Sequence, residues 1–282
     1  MFQHWNKFSI FARFIFHTMD FYGKTFWVTG AASGMGRTVS LELAKIKVRL
    51  IISDRDKEGL QKVAKEIEDA GSSVRIEPLD MMDTPSIFST AEKVIAEGEI
   101  ISGLYQFAGI SQRSLVVETP IENDRRIMEV NFFGAVALAK AVLPHMIKNG
   151  GGQFAGTSSL VGKFGFPYRS AYSSSKHALH GFFESLLAEN AKYHIKVSML
   201  IPGRVQTNIS RFALTKDGKE HGQMDPGQAS GITAEKAARL IVKGLRKEKK
   251  EIWVGGQEML MLHIRCFLPR LYYYMATRIK PM

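Results

Sequence analysis

Residues 25–36 read TFWVTGAASGMG, and residues 37–45 continue as RTVSLELAK. Thr25 to Thr29 form a short run of β-branched and aromatic residues, the composition of a buried strand. Glycines follow at 30, 34 and 36, and the apolar spacing from Met35 to Lys45 predicts an amphipathic helix. A strand that turns through glycines into a helix is the setting a dinucleotide requires. Glycine takes positive φ and lets a ligand approach the backbone, and the amides at the helix N-terminus meet the pyrophosphate. Gly30, Gly34 and Gly36 are therefore candidate cofactor contacts. Their spacing, glycine, three residues, then glycine-x-glycine, is less common than the usual dinucleotide fingerprint.

Outward from this unit the chain alternates short apolar strands with helical patterns. Strands are predicted at Val48 to Ser53, Val74 to Pro78, Gly103 to Gly109, Gly152 to Ser159, Lys196 to Pro202 and Glu251 to Gly256. Helices are predicted over Asp56 to Ala70, Thr84 to Ala96, Ile121 to Lys148, Ser170 to Tyr193 and Ala234 to Arg246. The order implies an α/β fold, a Rossmann-type doubly wound parallel sheet of about seven strands with helices on both faces, in one domain. Right-handed crossovers bring the strand ends to one edge, where such sheets bind ligands. Asp54 ends the second strand, 18 residues after Gly36 (54 − 36), where a carboxylate accepts hydrogen bonds from the adenosine ribose. It favours NAD(H), because it would repel a 2′-phosphate. Arg55 is positioned to contact such a phosphate, which keeps NADP(H) as the alternative.

Tyr172 and Lys176 stand four residues apart in AYSSSKHAL, about one helical turn. Phenol and ammonium share a helix face, so the cation is expected to favour phenolate and make the tyrosine a usable acid and base. Ser159 lies thirteen residues before Tyr172, and Asn131 sits in VNFFG.

With the glycine turn, these residues resemble the short-chain dehydrogenase/reductase family over about Phe21 to Gly255. The resemblance implies a catalytic set of Asn131, Ser159, Tyr172 and Lys176. Tyr172 would exchange the proton and Ser159 would hold the substrate oxygen. Lys176 would lower the tyrosine pKa and fix the nicotinamide ribose, and Asn131 would hold a water linking Lys176 to solvent. It also implies cofactor contacts at Ser33 and Met35 in the glycine turn, at Asp80, Ala108 and Gly109, and at Pro202, Gly203, Val205 and Thr207 in IPGRVQT. Asp80 would touch adenine; the plain alternative is that it caps the next turn. Where the family writes asparagine-alanine-glycine after the fourth strand, this chain has Phe107, Ala108 and Gly109, so altered packing is expected near the cofactor.

The stretch from Thr207 to Thr233 is long for a connection and reads as a lid over a substrate, or as a surface insertion with no such role. Phe164, Phe166, Pro167 and Tyr168 make an apolar, aromatic rim before Tyr172, which favours a hydrophobic ketone or alcohol.

The domain is read as residues 19–256, with an apolar, basic extension at 1–18 and a tail of the same character at 257–282. Phe8, Phe11 and Ile15 fall on one helical face of the extension, and Met19 is an alternative start. The tail, with the lid, resembles the dehydrogenase/reductase member 7B group, whose relatives are associated with membranes and lipid-like carbonyls. A net charge of +11, drawn partly from Lys243 to Lys250, points to an anionic partner. With no nucleic-acid motif present, a phospholipid surface fits better than nucleic acid. Cys266 is the sole cysteine and no Cys/His cluster occurs, so a metal-free site in a reducing, cytoplasmic setting is expected, with the tail either in peripheral membrane contact or packed on the domain or a partner subunit. The family resemblance also implies a homodimer or homotetramer.

The function expected is NAD(P)(H)-dependent interconversion of a secondary alcohol and a ketone on a lipophilic, steroid-like or lipid substrate. The alternatives are an NADPH-dependent acyl- or alkyl-dihydroxyacetone-phosphate reductase, with Arg211 and Lys216 meeting phosphate, and a nucleotide-binding membrane-surface protein without turnover.

Overall fold

A computed structural model describes residues 18–278 of the chain. Its strands are β1 (Thr25–Thr29), β2 (Arg49–Ser53), β3 (Ser73–Ile76), β4 (Ile101–Gln106), β5 (Gly152–Thr157), β6 (Ile195–Pro202) and β7 (Glu251–Val254). They pair in the order β3-β2-β1-β4-β5-β6-β7, every pair parallel. The winding reverses between β1 and β4, and the crevice beyond their carboxyl ends is where open parallel sheets hold ligands.

The helices are α1 (Gly34–Ala44), α2 (Lys57–Asp69), α3 (Thr84–Ala96), α4 (Ile121–Met128), α5 (Gly134–Lys148), α6 (Ser170–Asn190), α7 (Pro226–Ala229), α8 (Ala234–Arg246), α9 (Leu260–Phe267) and α10 (Pro269–Ala276). Those on opposite faces of the sheet bury two separate cores. Phe26, Val28, Leu50 and Ile52 pack with Val39 and Leu43 of α1 and Ile241 and Leu245 of α8. Trp27, Ile51, Leu104 and Phe154 pack with Ile87 of α3, Leu138 of α5 and Phe183 of α6. Neighbouring residues of one strand thus face different cores, and β1, covered on both sides, is apolar throughout rather than alternating. The indole of Trp27 has its donor satisfied by Ser53 Oγ at 2.8 Å.

Predicted and observed elements agree closely, and α3 and α8 have the predicted bounds. Caps fix the helix starts. Asp56 accepts from the Gly59 amide at 2.9 Å, Asp83 from that of Ser86 at 3.0 Å and Thr233 from that of Lys236 at 3.2 Å, each stabilising by about 1 kcal/mol. β3 stops short of Pro78 because proline has no amide for the ladder. The stretch Ile121–Lys148 is helical throughout, with a π turn at Glu129–Phe133 between α4 and α5. By length and composition it could cross a membrane, but Ile127, Leu138, Val142 and Met146 are fully buried in the domain.

Residues 207–233 are tied down rather than loose. Leu214 bridges to Gln112 and Glu220, and Val205 pairs with Ile232. Beyond β7, α9 and α10 turn back onto the sheet edge, so that Leu262 and Tyr272 join Val161, Phe164, Tyr172 and Ile201 in a third cluster. The Tyr272 hydroxyl donates to the Gly165 carbonyl at 3.1 Å. The face with Phe8, Phe11 and Ile15 lies outside the described residues.

Candidate active site

β1 delivers the chain into a turn that only glycine can make at two points. Gly30 has φ +67°, and a Cβ there would run into the backbone nitrogen of Ala108 beyond β4. At Gly36 a Cβ would overlap the Gly30 carbonyl oxygen. Helix α1 therefore starts flush against the turn, with its first amides open to the crevice. Ser33 takes the N-cap in an extended conformation without a capping side-chain bond.

A cavity of about 330 Å³ opens here. Gly30, Ser33, Gly34, Met35 and Gly36 line one side, Asp54, Arg55 and Asp80 another, and Ala108, Gly109 and Thr207 complete it. Asp54 steadies the turn by accepting from the Ala32 amide at 3.2 Å. Asp80 both faces the cavity and caps its own turn, accepting from the Met82 amide at 2.9 Å. Backbone approach at the glycines, a helix N-terminus and a carboxylate beyond β2 make this set fit a nicotinamide dinucleotide. Phe107 also lines this cavity and packs on the β1 core. With no amide side chain there, Thr29 ties β1 to the end of β4, its carbonyl accepting from Phe107 N at 3.1 Å and its Oγ1 from Ala108 N at 3.4 Å.

Tyr172 and Lys176 occupy the first turns of α6, both buried. The Lys176 ammonium donates to the Thr157 carbonyl at 2.8 Å and lies 5.7 Å from the centre of the Tyr172 ring. Burial pushes its pKa down to about 8. Asn131 sits in the π turn, whose extra residue per turn is a common device at functional sites. Its Nδ2 donates to Ile110 O and Ser175 Oγ, each at 2.9 Å, and its Oδ1 accepts from Ile110 N at 2.8 Å. Both N–H donors are engaged with protein, so only an oxygen lone pair is left for the water expected there. Asn131 and Lys176 stand close to Gly109, which lines the glycine-turn cavity that neither of them lines.

Ser159 follows β5, and its Oγ accepts from the Val161 amide at 3.3 Å. Its hydroxyl donates to the Pro202 carbonyl at 3.5 Å, and it lines the same cavity as the Tyr172 phenol. Burial pushes the phenol pKa up, against the lowering by Ser159 and by the charges of Arg169 and Arg113. Lys176, the cation expected to favour phenolate, is not among the groups that lower it in the free protein. The reason is placement: its ammonium is drawn to the Thr157 carbonyl.

Ser159 and Tyr172 front a second cavity of about 840 Å³, walled by Leu160, Phe164 and Phe166 and by Met261, Ile264 and Tyr272 of α9 and α10. The predicted cofactor contacts Pro202, Gly203 and Val205 line this cavity, not the glycine-turn cavity. The Pro-Gly turn is pinned at Arg204, whose amide donates to Glu258 at 2.7 Å. Met35, Thr207 and Ile209 line both cavities, so the two meet at those residues, and Tyr172 lines the second.

Sequence reasoning missed two parts of this cavity. The walls from α9 and α10 come from a tail read as lying outside the domain. The charged group Arg113, Arg169 and Asp225 also went unnoticed, although Arg169 stands at helical spacing, three residues before Tyr172.

A model of the short chain dehydrogenase family matches residues 24–217. Dehydrogenase/reductase SDR family member 7B of Xenopus tropicalis is 36% identical over 265 residues, covering 90% of this chain and 84% of its own. Among solved structures, a short chain dehydrogenase/reductase of Burkholderia phymatum in complex with NAD superposes with a TM-score of 0.79 at 21% identity, over 94% of this chain and 98% of its own. An alcohol dehydrogenase of the archaeon Thermococcus sibiricus, complexed with 5-hydroxy-NADP, gives 0.72 at 24% identity, over 83% and 97%. These structures share the fold, and the family match and the relative fix the lineage. The chain belongs to the short-chain dehydrogenase/reductase family, NAD(P)-dependent oxidoreductases acting on CH–OH groups.

Proposed function

We propose that the protein interconverts a secondary alcohol and a ketone on a lipophilic substrate, with NAD(H) preferred over NADP(H). The observation that carries this reading is the junction of the two cavities. The glycine-turn residues would hold the cofactor, and Met35 and Thr207 join that cavity to the one lined by Ser159 and Tyr172, whose other walls include Leu160, Phe164, Phe166, Met261 and Ile264. The nicotinamide cofactor supplies or accepts the hydride. Tyr172 donates the proton in reduction and removes it in oxidation, and Ser159 holds the substrate oxygen. Lys176 would fix the nicotinamide ribose, and Asn131, close to it beside Gly109, would hold the water that links Lys176 to solvent. The preference for NAD(H) rests on the Asp54 carboxylate in the cofactor cavity. Purified protein is to be assayed on a panel of lipophilic ketones with NADH and NADPH separately. Turnover at least about tenfold better with NADH is expected, and a preference for NADPH or for small hydrophilic ketones contradicts this reading. The acyl- or alkyl-dihydroxyacetone-phosphate alternative loses its motivating contacts, because Arg211 and Lys216 are exposed and line neither cavity.

Peripheral membrane contact through the tail is a second proposal. Phe267, Leu268, Leu271 and Tyr274 are exposed beside Arg270 and Arg278, and no acid occurs from Met259 to Arg278. Apolar side chains among cations suit an anionic lipid interface. Sedimentation with anionic vesicles should depend on residues 259–282; binding unchanged by their deletion sinks the idea. A homodimer or homotetramer is proposed with it, and sedimentation velocity showing only monomer would overturn that.

A further inference from the structure

Among the charged residues lining the larger cavity, Arg113, Arg169 and Asp225 form one bonded group. They come from three places, the turn after β4, the residue before α6, and the 207–233 segment. Arg113 and Asp225 are each only 8% exposed at the side chain, and Arg169 is 18% exposed. Nearly every donor of Arg113 is committed. Its Nε and Nη2 bond the Asp225 carboxylate, and its Nη1 donates to Ser111 Oγ at 2.9 Å and to the Gln112 carbonyl. The Arg169 guanidinium donates from Nη2 to Asp225 Oδ2 at 2.8 Å and stacks over Phe166 with 5.0 Å from Cζ to the ring centre. Two guanidinium groups thus share one carboxylate, and the wall carries a surplus positive charge.

That surplus sits beside Tyr172. Arg169 precedes it by three residues at the start of the same helix, the spacing at which side chains share a face, and both line the cavity. Tyr168, with φ 62°, turns the chain sharply just before Arg169, an uncommon conformation for an aromatic residue. The other charged or titratable groups facing this region are Lys176 from α6, Arg204 with Glu258 from the sheet edge, and Tyr272 from α10. Lys176 is bonded to Thr157, and Glu258 is held on the Arg204 and Gly256 amides. Both Arg169 and Arg113 pull the phenol's pKa down against burial.

We propose that Arg169 is a positioning residue that acts through Tyr172, favouring its phenolate form. In the same arrangement Asp225, carried by the 207–233 segment, sets how much of that charge Tyr172 feels. The proposal rests on the reading of Tyr172 as the acid and base. It predicts shifts of opposite sign from two residues bonded to each other. Losing the cation in Arg169→Gln raises the Tyr172 ionisation midpoint by about one unit, and losing the anion in Asp225→Asn lowers it.

The midpoint is read in the cofactor-free, full-length protein by tyrosinate absorbance, each variant minus the same variant carrying Tyr172→Phe. The pH profile of ketone reduction is measured alongside. Opposite shifts in absorbance support the proposal. No shift, or shifts of the same sign, overturn it, as does an Arg169→Gln variant that only raises KM, which would assign Arg169 to substrate binding. If Asp225→Asn does not fold, Arg169→Lys decides: restoring charge should return the midpoint toward wild type, and failure to do so overturns the proposal. The underlying reading fails in a different way, by turnover that survives Tyr172→Phe.

Discussion

Tyr172 holds its proton more tightly than an ordinary phenol because burial outweighs the pull of Ser159, Arg169 and Arg113. Reduction uses the protonated phenol and oxidation the phenolate. The kcat/KM for reduction should therefore stay level through neutrality and fall in alkali, while that for oxidation climbs in the same range. A reduction profile that falls below neutrality would contradict this. His180 gives a stability prediction. It is buried on Ser158, with Nε2 to Oγ at 2.9 Å, and burial pushes its pKa down to about 4. The unfolded chain takes up this proton near pH 6.5 and the folded chain not until about 4. Stability is therefore intact above 6.5 and lost as pH falls between those values, by up to about 3 kcal/mol. Urea denaturation near neutrality and near pH 5 should show a smaller acid loss in His180→Gln than in wild type; equal losses would count against it. Tyr172, Lys176 and Ser159 were legible as residues because their spacing is local. The balance of charges on Tyr172 was not, since Arg113 and Asp225 reach it from 59 and 53 positions away (172 − 113 and 225 − 172).

Among the elements, the β1-turn-α1 unit was the most legible, because its glycines answer to a steric demand within a few residues. Gly36→Ala forces a methyl group onto the Gly30 carbonyl. It should cost about 1–3 kcal/mol of stability and abolish NADH binding, as read by thermal denaturation and fluorescence titration. Normal binding would mean that the turn does not cradle the cofactor. Strand and helix positions followed from apolar runs and helical spacing; the Asp and Thr caps at the helix starts came only with the structure. The π turn at Asn131 was not legible, since a helix pattern does not reveal one inserted residue. Nor was the tail: read as an apolar, basic segment outside the domain, it gave no sign of the surface that Leu262 and Tyr272 cover.

On the scale of the molecule, the sheet's switch point collects side chains from β1, β2, β4, β5 and α6, and the tail closes the far wall. The division of labour is testable with Ile264→Glu, which places a charge in the lipophilic cavity but not in the cofactor cavity. KM for a lipophilic ketone should rise by about tenfold or more, since one apolar contact of about 1.5–3 kcal/mol exceeds the 1.4 kcal/mol of a decade. The Kd for NADH should stay within about twofold of wild type; a change confined to the cofactor would reverse the assignment of the cavities. The central claim is that Tyr172, in the cavity that joins the cofactor cavity at Met35, Thr207 and Ile209, transfers the proton. It is tested most directly by measuring ketone turnover and NADH affinity together in wild type and Tyr172→Phe. The account predicts turnover reduced by about 10²–10⁴-fold with NADH affinity retained, and turnover within tenfold of wild type would contradict it.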